Sequence, residues 1–335
     1  MVEKKLEITS KLEKLAVEGT LNSKIAILNL PSANFCEKRA EKIEVGEVTQ
    51  QSCLGCVTQG ITTREAIGIG EVMRIIDYFA EQHGTRFITI NGRGDPFHPK
   101  VADLNTEKIK YAHERYGLQA YVFTAGNNLD EKLCRFLVDH ESNVMISLFG
   151  NKFIDADFFS GRKYSSSPKP LQDCNMIATN LRRLIVAYAE SKGQPEAGTT
   201  RIGMNYVIDL SDLKEDGKKV SALKEVANDH GLFFVCNTHF VKHPDQKIQQ
   251  EFEHMADQYS NFHLRHSTAV NGQCQMGAGS GATVDFDGTL LRCPYMSTLE
   301  GDGKFRELSL SERERVVDEY MHDRSYPCVM RKHQT

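Results

Sequence analysis

The chain of 335 residues lacks long apolar runs, a dominant charge and internal repeats. No run approaches the roughly 18 apolar residues that a membrane-spanning helix needs. Lysine and arginine total 41 against 45 acidic residues, so the formal net charge of -4 creates no general attraction for nucleic acid or an anionic membrane. We therefore expect no nucleic acid and no membrane among the partners, and local sites must recognise whatever binds.

The first residues and the cysteine content bear on the cellular compartment. The start, MVEKKLEITSKLEKL, is too charged for a secretory signal, so we expect a cytoplasmic protein. The nine cysteines are an odd number, which argues against complete pairing in disulfides. In a reducing compartment, clustered cysteines more often bind metal or take part in chemistry.

Apolar runs alternate with helical patterns along most of the chain. The predicted strands lie at 24–30, 86–90, 118–124, 143–149, 201–208 and 231–240. Helical spacing predicts helices between them, and Gly84 is a predicted helix stop. Six strands separated by helices predict parallel βαβ units. We interpret them as an α/β fold, a partial (β/α)6 TIM-like barrel whose chemistry lies in the loops after the strands.

The sequence divides into three predicted parts. Residues 1–22 are predicted to form a peripheral helix, and 23–260 the partial barrel. From 261 to 335 the composition changes, and GATVDFDGTLLRC contains two strand-like runs around Asp287–Gly288, a dipeptide suited to a tight hairpin turn. We therefore expect a small C-terminal extension made of a β-hairpin and helix.

The stretch from Asn34 to Cys56 combines one cysteine with a later close pair. Residues 37–52 separate Cys36 from Cys53, and Cys56 follows after two more residues. Three thiolates at one barrel mouth suit a [4Fe-4S] cluster whose fourth iron binds a ligand with amino and carboxylate groups. A zinc site and unrelated buried thiols are the alternatives at this point.

Three segments that follow predicted strands resemble motifs of the radical S-adenosylmethionine (radical SAM) superfamily. INGRGDPFHPK is similar to its Gly-Gly-Glu-Pro segment, with Gly94, Asp95 and Pro96 in register. FTAGNNLDEKL is similar to its Thr-Asn-Gly segment, and VMISLFG to its Ser-Leu-Asp-Gly segment. Their order along six βα units supports the resemblance, which covers most of residues 23–335.

The resemblance implies that Cys36, Cys53 and Cys56 hold a SAM-binding [4Fe-4S] cluster. The usual superfamily pattern is Cys-x3-Cys-x2-Cys, so this chain carries an insertion at 37–52. We interpret the insertion as a solvated loop that covers the SAM site, since the entropy of loop closure rises slowly with length. Gly55 stands where most members carry an aromatic residue beside the adenine.

The resemblance also assigns residues to SAM. Gly94, Asp95 and Pro96 would form a backbone shelf for the methionyl amino group, and Ser147 and Asn205 would contact the carboxylate or the ribose. Without the resemblance, Gly94 and Pro96 indicate a plain turn, and Ser147 and Asn205 indicate hydrogen bonding inside a barrel.

A second cysteine group flanks the predicted hairpin. Cys274, Gly288 and Cys293 have the spacing Cys-x13-Gly-x4-Cys, which resembles the SPASM and twitch extensions that hold auxiliary clusters after radical SAM barrels. We predict one auxiliary [4Fe-4S] cluster with Cys328 as the third ligand. The fourth ligand is left open between the substrate, Cys236, His239 and His266. A structural zinc or paired thiols is the alternative.

The resemblance implies that the first cluster passes an electron to bound SAM, from a donor such as flavodoxin or ferredoxin. Cleavage would give methionine and a 5′-deoxyadenosyl radical, which abstracts hydrogen from a substrate. We expect a small molecule that undergoes oxidation, rearrangement or epimerisation, with a ribosomal peptide as the alternative. A non-catalytic zinc or iron–sulfur protein is the alternative from another class.

The remaining cysteines receive mostly structural interpretations. Cys134 has core spacing with Leu137 and is predicted to be a buried thiol. Cys174 and Cys236 are candidate hydrogen-atom donors to a substrate radical, although packing is the simpler role for each.

Overall fold

The computed structural model of the chain describes residues 9–10, 25–32, 35–36, 43–45, 48–50, 66–91, 94–149, 169–191, 199–208, 218–238, 250, 254, 262–263, 269–270, 273–274, 276, 278–294, 296 and 298–323. The helices described are α1 (Ile69–His83), α2 (Ala102–Tyr116), α3 (Glu131–Asp139), α4 (Lys169–Glu190), α5 (Lys218–Asp229) and α6 (Leu310–His322), with a short 3-10 helix at Thr298–Glu300.

The strands described include short pieces as well as the predicted ones. In chain order they are β1 (Thr9–Ser10), β2 (Ile27–Asn29), β3 (Ile43–Val45), β4 (Val48–Gln50), β5 (Phe87–Ile90), β6 (Gln119–Thr124), β7 (Asn143–Phe149), β8 (Thr199–Thr200), β9 (Ile202–Ile208), β10 (Phe233–Thr238), β11 (Phe262–His263), β12 (Ala269–Val270), β13 (Gln273–Cys274), β14 (Gly281–Val284) and β15 (Leu290–Leu291).

Nine strands form one sheet in the order β11-β10-β9-β7-β6-β5-β2-β14-β15. Every neighbouring pair is parallel except β14 and β15. The six predicted strands follow one another across this sheet in chain order, from β2 to β10, with helices between them. The predicted α/β fold, a partial TIM-like barrel, is confirmed.

The main core lies between the sheet and its helices. Alternate strand residues, among them Leu28, Ile88 and Ile146, are fully buried and belong to one apolar cluster with Ile75 and Phe79 of α1. Each such side chain stabilises the fold by about 1.5–3 kcal/mol through burial. Because strand side chains alternate between faces, the intervening residues line the inner face of the partial barrel.

Local signals explain where the helices begin and end. Gly84 adopts the left-handed conformation with φ 61° and its N–H donates to the Phe79 carbonyl, which confirms the predicted stop of α1. Asp130 caps α3 by accepting a hydrogen bond from Leu133 N at 2.7 Å. Ser309 and Glu312 form a reciprocal capping box at the start of α6.

Two segments differ from the sequence expectation. Within the predicted helix 1–22, Thr9 and Ser10 instead form the short strand β1, which pairs in parallel with Thr199 and Thr200 of β8. The remainder of 1–22 lies outside the described residues, so a helix there stays a prediction. Inside the insertion 37–52, β3 pairs antiparallel with β4, and the β-branched residues of IEVGEVTQ favour this hairpin over a plain loop.

The C-terminal hairpin is confirmed, and its position in the sheet was not predicted. β14 and β15 pair antiparallel around Gly288, whose φ is 83°. β14 also pairs in parallel with β2, with Gly281 opposite Ile27 and Thr283 opposite Asn29. The extension therefore continues the barrel sheet beyond its first strand.

Among the described helices, none is both long and apolar enough to cross a bilayer.

Candidate functional site

The shelf residues lie directly after β5, at the carboxyl end of the sheet. Gly94 has φ 108°, a conformation that favours glycine over any side-chain-bearing residue. Gly94 forms a parallel bridge with Phe35, and Asp95 N donates to the Phe35 carbonyl at 2.7 Å. Phe35 is therefore hydrogen-bonded to the shelf, and Cys36, the first predicted cluster ligand, directly follows it.

The carboxylate of Asp95 braces two loops. It accepts hydrogen bonds from Phe97 N at 2.9 Å, from the Thr124 hydroxyl and from Ala125 N at 2.6 Å. Thr124 is the last residue of β6, so the loops after β5 and β6 are joined by this one buried side chain. Sequence reasoning assigned Asp95 to the backbone shelf and missed this role of its side chain.

Asn105 on α2 is a second brace that the sequence analysis missed. It is fully buried, and its Nδ2 donates to the Pro96 carbonyl at 2.8 Å and to the Ser32 hydroxyl at 3.1 Å. It thus ties the shelf to the loop that leaves β2. A polar residue beside the core positions of a helix was the available signal, because buried amides need partners.

The shelf carbonyls differ in how far they are already used. Asp95 O accepts from His98 N at 3.2 Å, and Pro96 O accepts from Asn105. Among the described residues no donor contacts the Gly94 carbonyl, so it is the shelf acceptor best suited to an incoming amino group.

An aromatic stack lies beside Cys36. The rings of Phe35 and His98 are stacked with centroids 5.7 Å apart and planes at 23°, and Lys100 Nζ lies 4.9 Å from the Phe35 ring centroid. The stack holds the residue before the cysteine against the loop after β5, and a cation near a ring face is attracted to it. Cys36 itself is partly exposed.

Ser147 and Asn205 are brought together as neighbours on adjacent strands. They are register partners in β7 and β9, and Asn205 is buried. The residues before them, Ile146 and Met204, belong to the helix-side core, so Ser147 and Asn205 lie on the inner face. The strand pairing thus gives one inner-face patch with a hydroxyl and an amide.

Solved structures share this architecture. Native anSMEcpe with bound AdoMet and the Cp18Cys peptide superimposes with a TM-score of 0.54 at 11% identity, covering 90% of this chain and 86% of that one. SuiB of Streptococcus suis, bound to the precursor peptide SuiA, gives 0.56 at 12% identity, covering 95% and 71%. Both are radical SAM enzymes. The chain shares the fold of these two proteins.

Sequence comparison adds nothing to the fold similarity. No protein-family model and no curated protein matches the sequence. Native anSMEcpe with AdoMet alone gives a TM-score of 0.52 at 13% identity, covering 85% of this chain and 79% of that one. At such identities the similarity establishes the fold and leaves residue roles to the geometry.

The predicted cluster ligands are described to different extents. Side chains are described for Cys36 and Cys293 alone, both partly exposed. Cys274 is described as backbone in β13, paired with Ala269. Cys53, Cys56 and Cys328 lie outside the described residues. Among the described side chains no group of three His, Cys, Asp or Glu could hold a metal, so the ligand sets stay predictions.

The other cysteines have distinct places in the fold. Cys134 is fully buried in α3, which confirms the predicted core position. This burial raises the pKa of its thiol to about 11. Cys236 in β10 takes the register position opposite Tyr206 of β9, whereas Asn205 is opposite Val235. Cys174 is described only as part of α4. Hydrogen donation by Cys174 or Cys236 stays a prediction.

Proposed function

We propose that this chain is a radical SAM enzyme that binds a [4Fe-4S] cluster through Cys36, Cys53 and Cys56 and binds SAM beside it. The observation that carries the proposal is the hydrogen bond from Asp95 N to the Phe35 carbonyl at 2.7 Å. It holds the start of the cysteine segment against the shelf, so a ligand bound to iron at Cys36 would reach the shelf.

The residues at this place fit both groups. The partly exposed thiol of Cys36 is suited to iron, and the Gly94 carbonyl is suited to an amino group. Ser147 and Asn205 on the inner face offer a hydroxyl and an amide for a carboxylate or a ribose. When bound, the cluster supplies the electron that cleaves SAM into methionine and a 5′-deoxyadenosyl radical.

The chain's own residues would bind, orient and exclude water. Asp95 and Asn105 keep the shelf at a fixed height over the end of the sheet through the contacts described above. The apolar residues Ile27, Phe87 and Tyr121 form a buried cluster with Met276. Ile27 and Phe87 begin their strands, so this cluster would close the end of the barrel opposite the shelf to water.

We also propose one auxiliary [4Fe-4S] cluster on Cys274, Cys293 and Cys328. The confirmed hairpin around Gly288 supports it, because a hairpin with a cysteine beyond each strand can bring two thiolates to one metal. Such a cluster would accept an electron from a substrate radical and make the net reaction an oxidation. Without electron loss, the outcome would be rearrangement or epimerisation.

The proposed substrate is a small molecule, and peptide modification is the second candidate. The observation that favours the second candidate is that anSMEcpe and SuiB were both solved with peptides bound. A flavodoxin or ferredoxin is the proposed electron donor, since the cluster needs a one-electron reductant.

The test is anaerobic reconstitution with iron and sulfide, followed by dithionite and SAM. About eight irons per chain and formation of 5′-deoxyadenosine are expected for two four-iron clusters. Cys36→Ala should abolish 5′-deoxyadenosine, whereas the matched control Cys134→Ala removes a buried core thiol and should retain both iron and product. Stoichiometric zinc without 5′-deoxyadenosine would overturn the proposal in favour of a non-catalytic metal protein.

The same preparation separates the two substrate classes. Release of 5′-deoxyadenosine above the uncoupled rate is scored with a pool of small metabolites and, separately, with short cysteine-containing and serine-containing peptides. Stimulation by peptides alone would replace the small-molecule proposal.

A further inference from the structure

The turn of the C-terminal hairpin contacts the residues on both sides of the segment 37–65. This segment contains Cys53 and Cys56. Phe286, in this turn, forms a buried apolar cluster with Val101, and Phe35 and Ala66 pack against that cluster. Phe35 is the described residue before Cys36, and Ala66 is the first described residue after the segment. One buried ring therefore lies where the chain leaves the barrel and where it returns.

Backbone contacts fix the returning end in the same place. Ile67 N donates to the Phe286 carbonyl at 2.8 Å. A Cβ added at Gly288 would lie 3.2 Å from Ile67 Cγ2 and from Glu71 Oε1, so the turn and the start of α1 are in close contact. The chain after Ala66 is thus held by the hairpin before α1 begins.

The turn itself is held firmly. Gly288 N donates to Asp285 O at 2.9 Å, and Asp285 N donates to Thr289 O at 2.8 Å. Asp287 accepts from Thr289 and forms an ion pair with Lys304 Nζ at 2.7 Å. A buried side chain anchored on a turn with this many bonds can serve as a fixed support.

The hairpin is also fixed to the strand that leads to Cys36. Thr283 of β14 accepts a hydrogen bond from Asn29 Nδ2 at 3.5 Å, next to the parallel pairing of β14 with β2. Lys108 of α2 is buried between the end of β2 and the turn, with Nζ 3.5 Å from Pro31 O. These contacts join the hairpin, β2 and α2 into one unit.

We propose that Phe286 is a positioning residue for the radical SAM site: it fixes the two ends of the cysteine segment, so the hairpin between Cys274 and Cys293 also sets the geometry of the SAM-binding cluster. The inference rests on the proposed function for its SAM readout, but its packing claim does not. The C-terminal extension would then affect SAM cleavage by packing against the cysteine segment, in addition to any electron transfer through an auxiliary cluster.

The test compares Phe286→Ala with Phe305→Ala. Phe305 is equally buried in the same extension, but its side chain packs on Tyr78 and Phe79 of α1. Amide hydrogen exchange of the metal-free full chain is measured at Ile67 and Asp95, whose N–H groups donate to the Phe286 and Phe35 carbonyls. Phe286→Ala should speed exchange at these two amides by about tenfold or more, and Phe305→Ala should leave them as in the wild type.

The second readout uses the reconstituted protein. Phe286→Ala is expected to raise the apparent KM for SAM by about tenfold, because misplacement of a site by about 1 Å slows a reaction strongly. With SAM added, the electron paramagnetic resonance spectrum of the reduced cluster in this variant should differ from that of the wild type. Phe286→Leu keeps an apolar side chain in the cluster and should restore most of the affinity.

The outcomes distinguish this inference from the proposed function. Equal exchange at the Ile67 and Asp95 amides in Phe286→Ala and wild type would overturn the positioning role, whatever the activity. Equal increases in both alanine variants would also overturn it, because general destabilisation would then explain them. If Phe286→Ala unfolds, the same comparison is made with the smaller truncations Phe286→Val and Phe305→Val. Local exchange changes with no SAM cleavage in the wild type would retain the packing claim and refute the enzyme.

Discussion

Both carboxylate oxygens of Asp95 lie 3.0 Å from the Thr124 hydroxyl. Thr124 ends β6, while Asp95 follows β5, so the contact joins the ends of two neighbouring strands at the proposed SAM site. The same carboxylate accepts two backbone N–H groups. Because three donors depend on one buried acceptor, its removal leaves several polar groups without a partner.

Asp95→Asn should lower both stability and SAM affinity. The NH2 group of the new amide would face N–H or O–H donors that now donate to the carboxylate. Each buried group left without a partner costs about 1–3 kcal/mol of stability. Urea unfolding and equilibrium dialysis with SAM measure the two effects. Thr124→Ser keeps the hydroxyl and serves as the control, which should behave nearly as the wild type. Unchanged SAM affinity in Asp95→Asn would show that the brace is irrelevant to the site.

Ser147→Ala and Asn205→Ala should each weaken SAM binding by about tenfold. Loss of one hydrogen bond to a ligand costs about 1.4 kcal/mol at that factor. Calorimetric titration with SAM gives the dissociation constants. Asn143→Ala is the matched control, because Asn143 lies on the same strand and is buried near its other end. An equal loss of affinity in the control would contradict a specific role for Ser147.

Lys108 should make stability depend on pH. Burial lowers its pKa from 10.5 to about 8, while the charge of Asp285 opposes that shift. The unfolded chain therefore holds this proton up to higher pH than the folded protein, so the lysine's destabilising cost is full below about pH 8 and fades up to about 10.5. Relative to Lys108→Met, the wild type should gain up to about 3 kcal/mol between pH 7.5 and 10.5.

Urea unfolding of both proteins at several pH values measures this gain. Lys110→Met, an exposed position on the same helix, controls for the loss of a lysine charge. If the difference in unfolding free energy between the wild type and Lys108→Met stayed constant from pH 7.5 to 10.5, Lys108 would not titrate in this range.

Two glycine substitutions should have opposite effects. Gly288→Ala should destabilise by about 1–2 kcal/mol, since φ is 83° and the new Cβ would lie 3.2 Å from Ile67 and Glu71. Gly70→Ala should stabilise by up to about 1 kcal/mol, because it lies in α1 and a Cβ there meets nothing within 4 Å. Melting temperatures decide between them, and a stabilising Gly288→Ala would contradict the described turn.

Local patterns were sufficient for the six barrel strands and for the hairpin. Each strand is a largely apolar run, and Asp287–Gly288 has a dipeptide preference for tight turns, so these features need only neighbouring residues. The pairing of β14 with β2 depends on residues far apart, and no local pattern specifies it. The shelf residues were found from a resemblance, whereas the Asn105 brace depends on donors and acceptors that converge only in the folded chain.

The pairing of β14 with β2 determines when the central sheet can finish folding. The hydrogen-bonded residues Asn29 and Thr283 are 254 positions apart, so the contact closes at the cost of a long loop and contributes to slow folding. During synthesis, which proceeds from the N-terminus, β2 remains an open edge until the ribosome has released Gly281 to Val284. Iron loaded before that point would meet a cysteine segment whose two ends have not yet been anchored, and we expect cluster insertion to follow chain release.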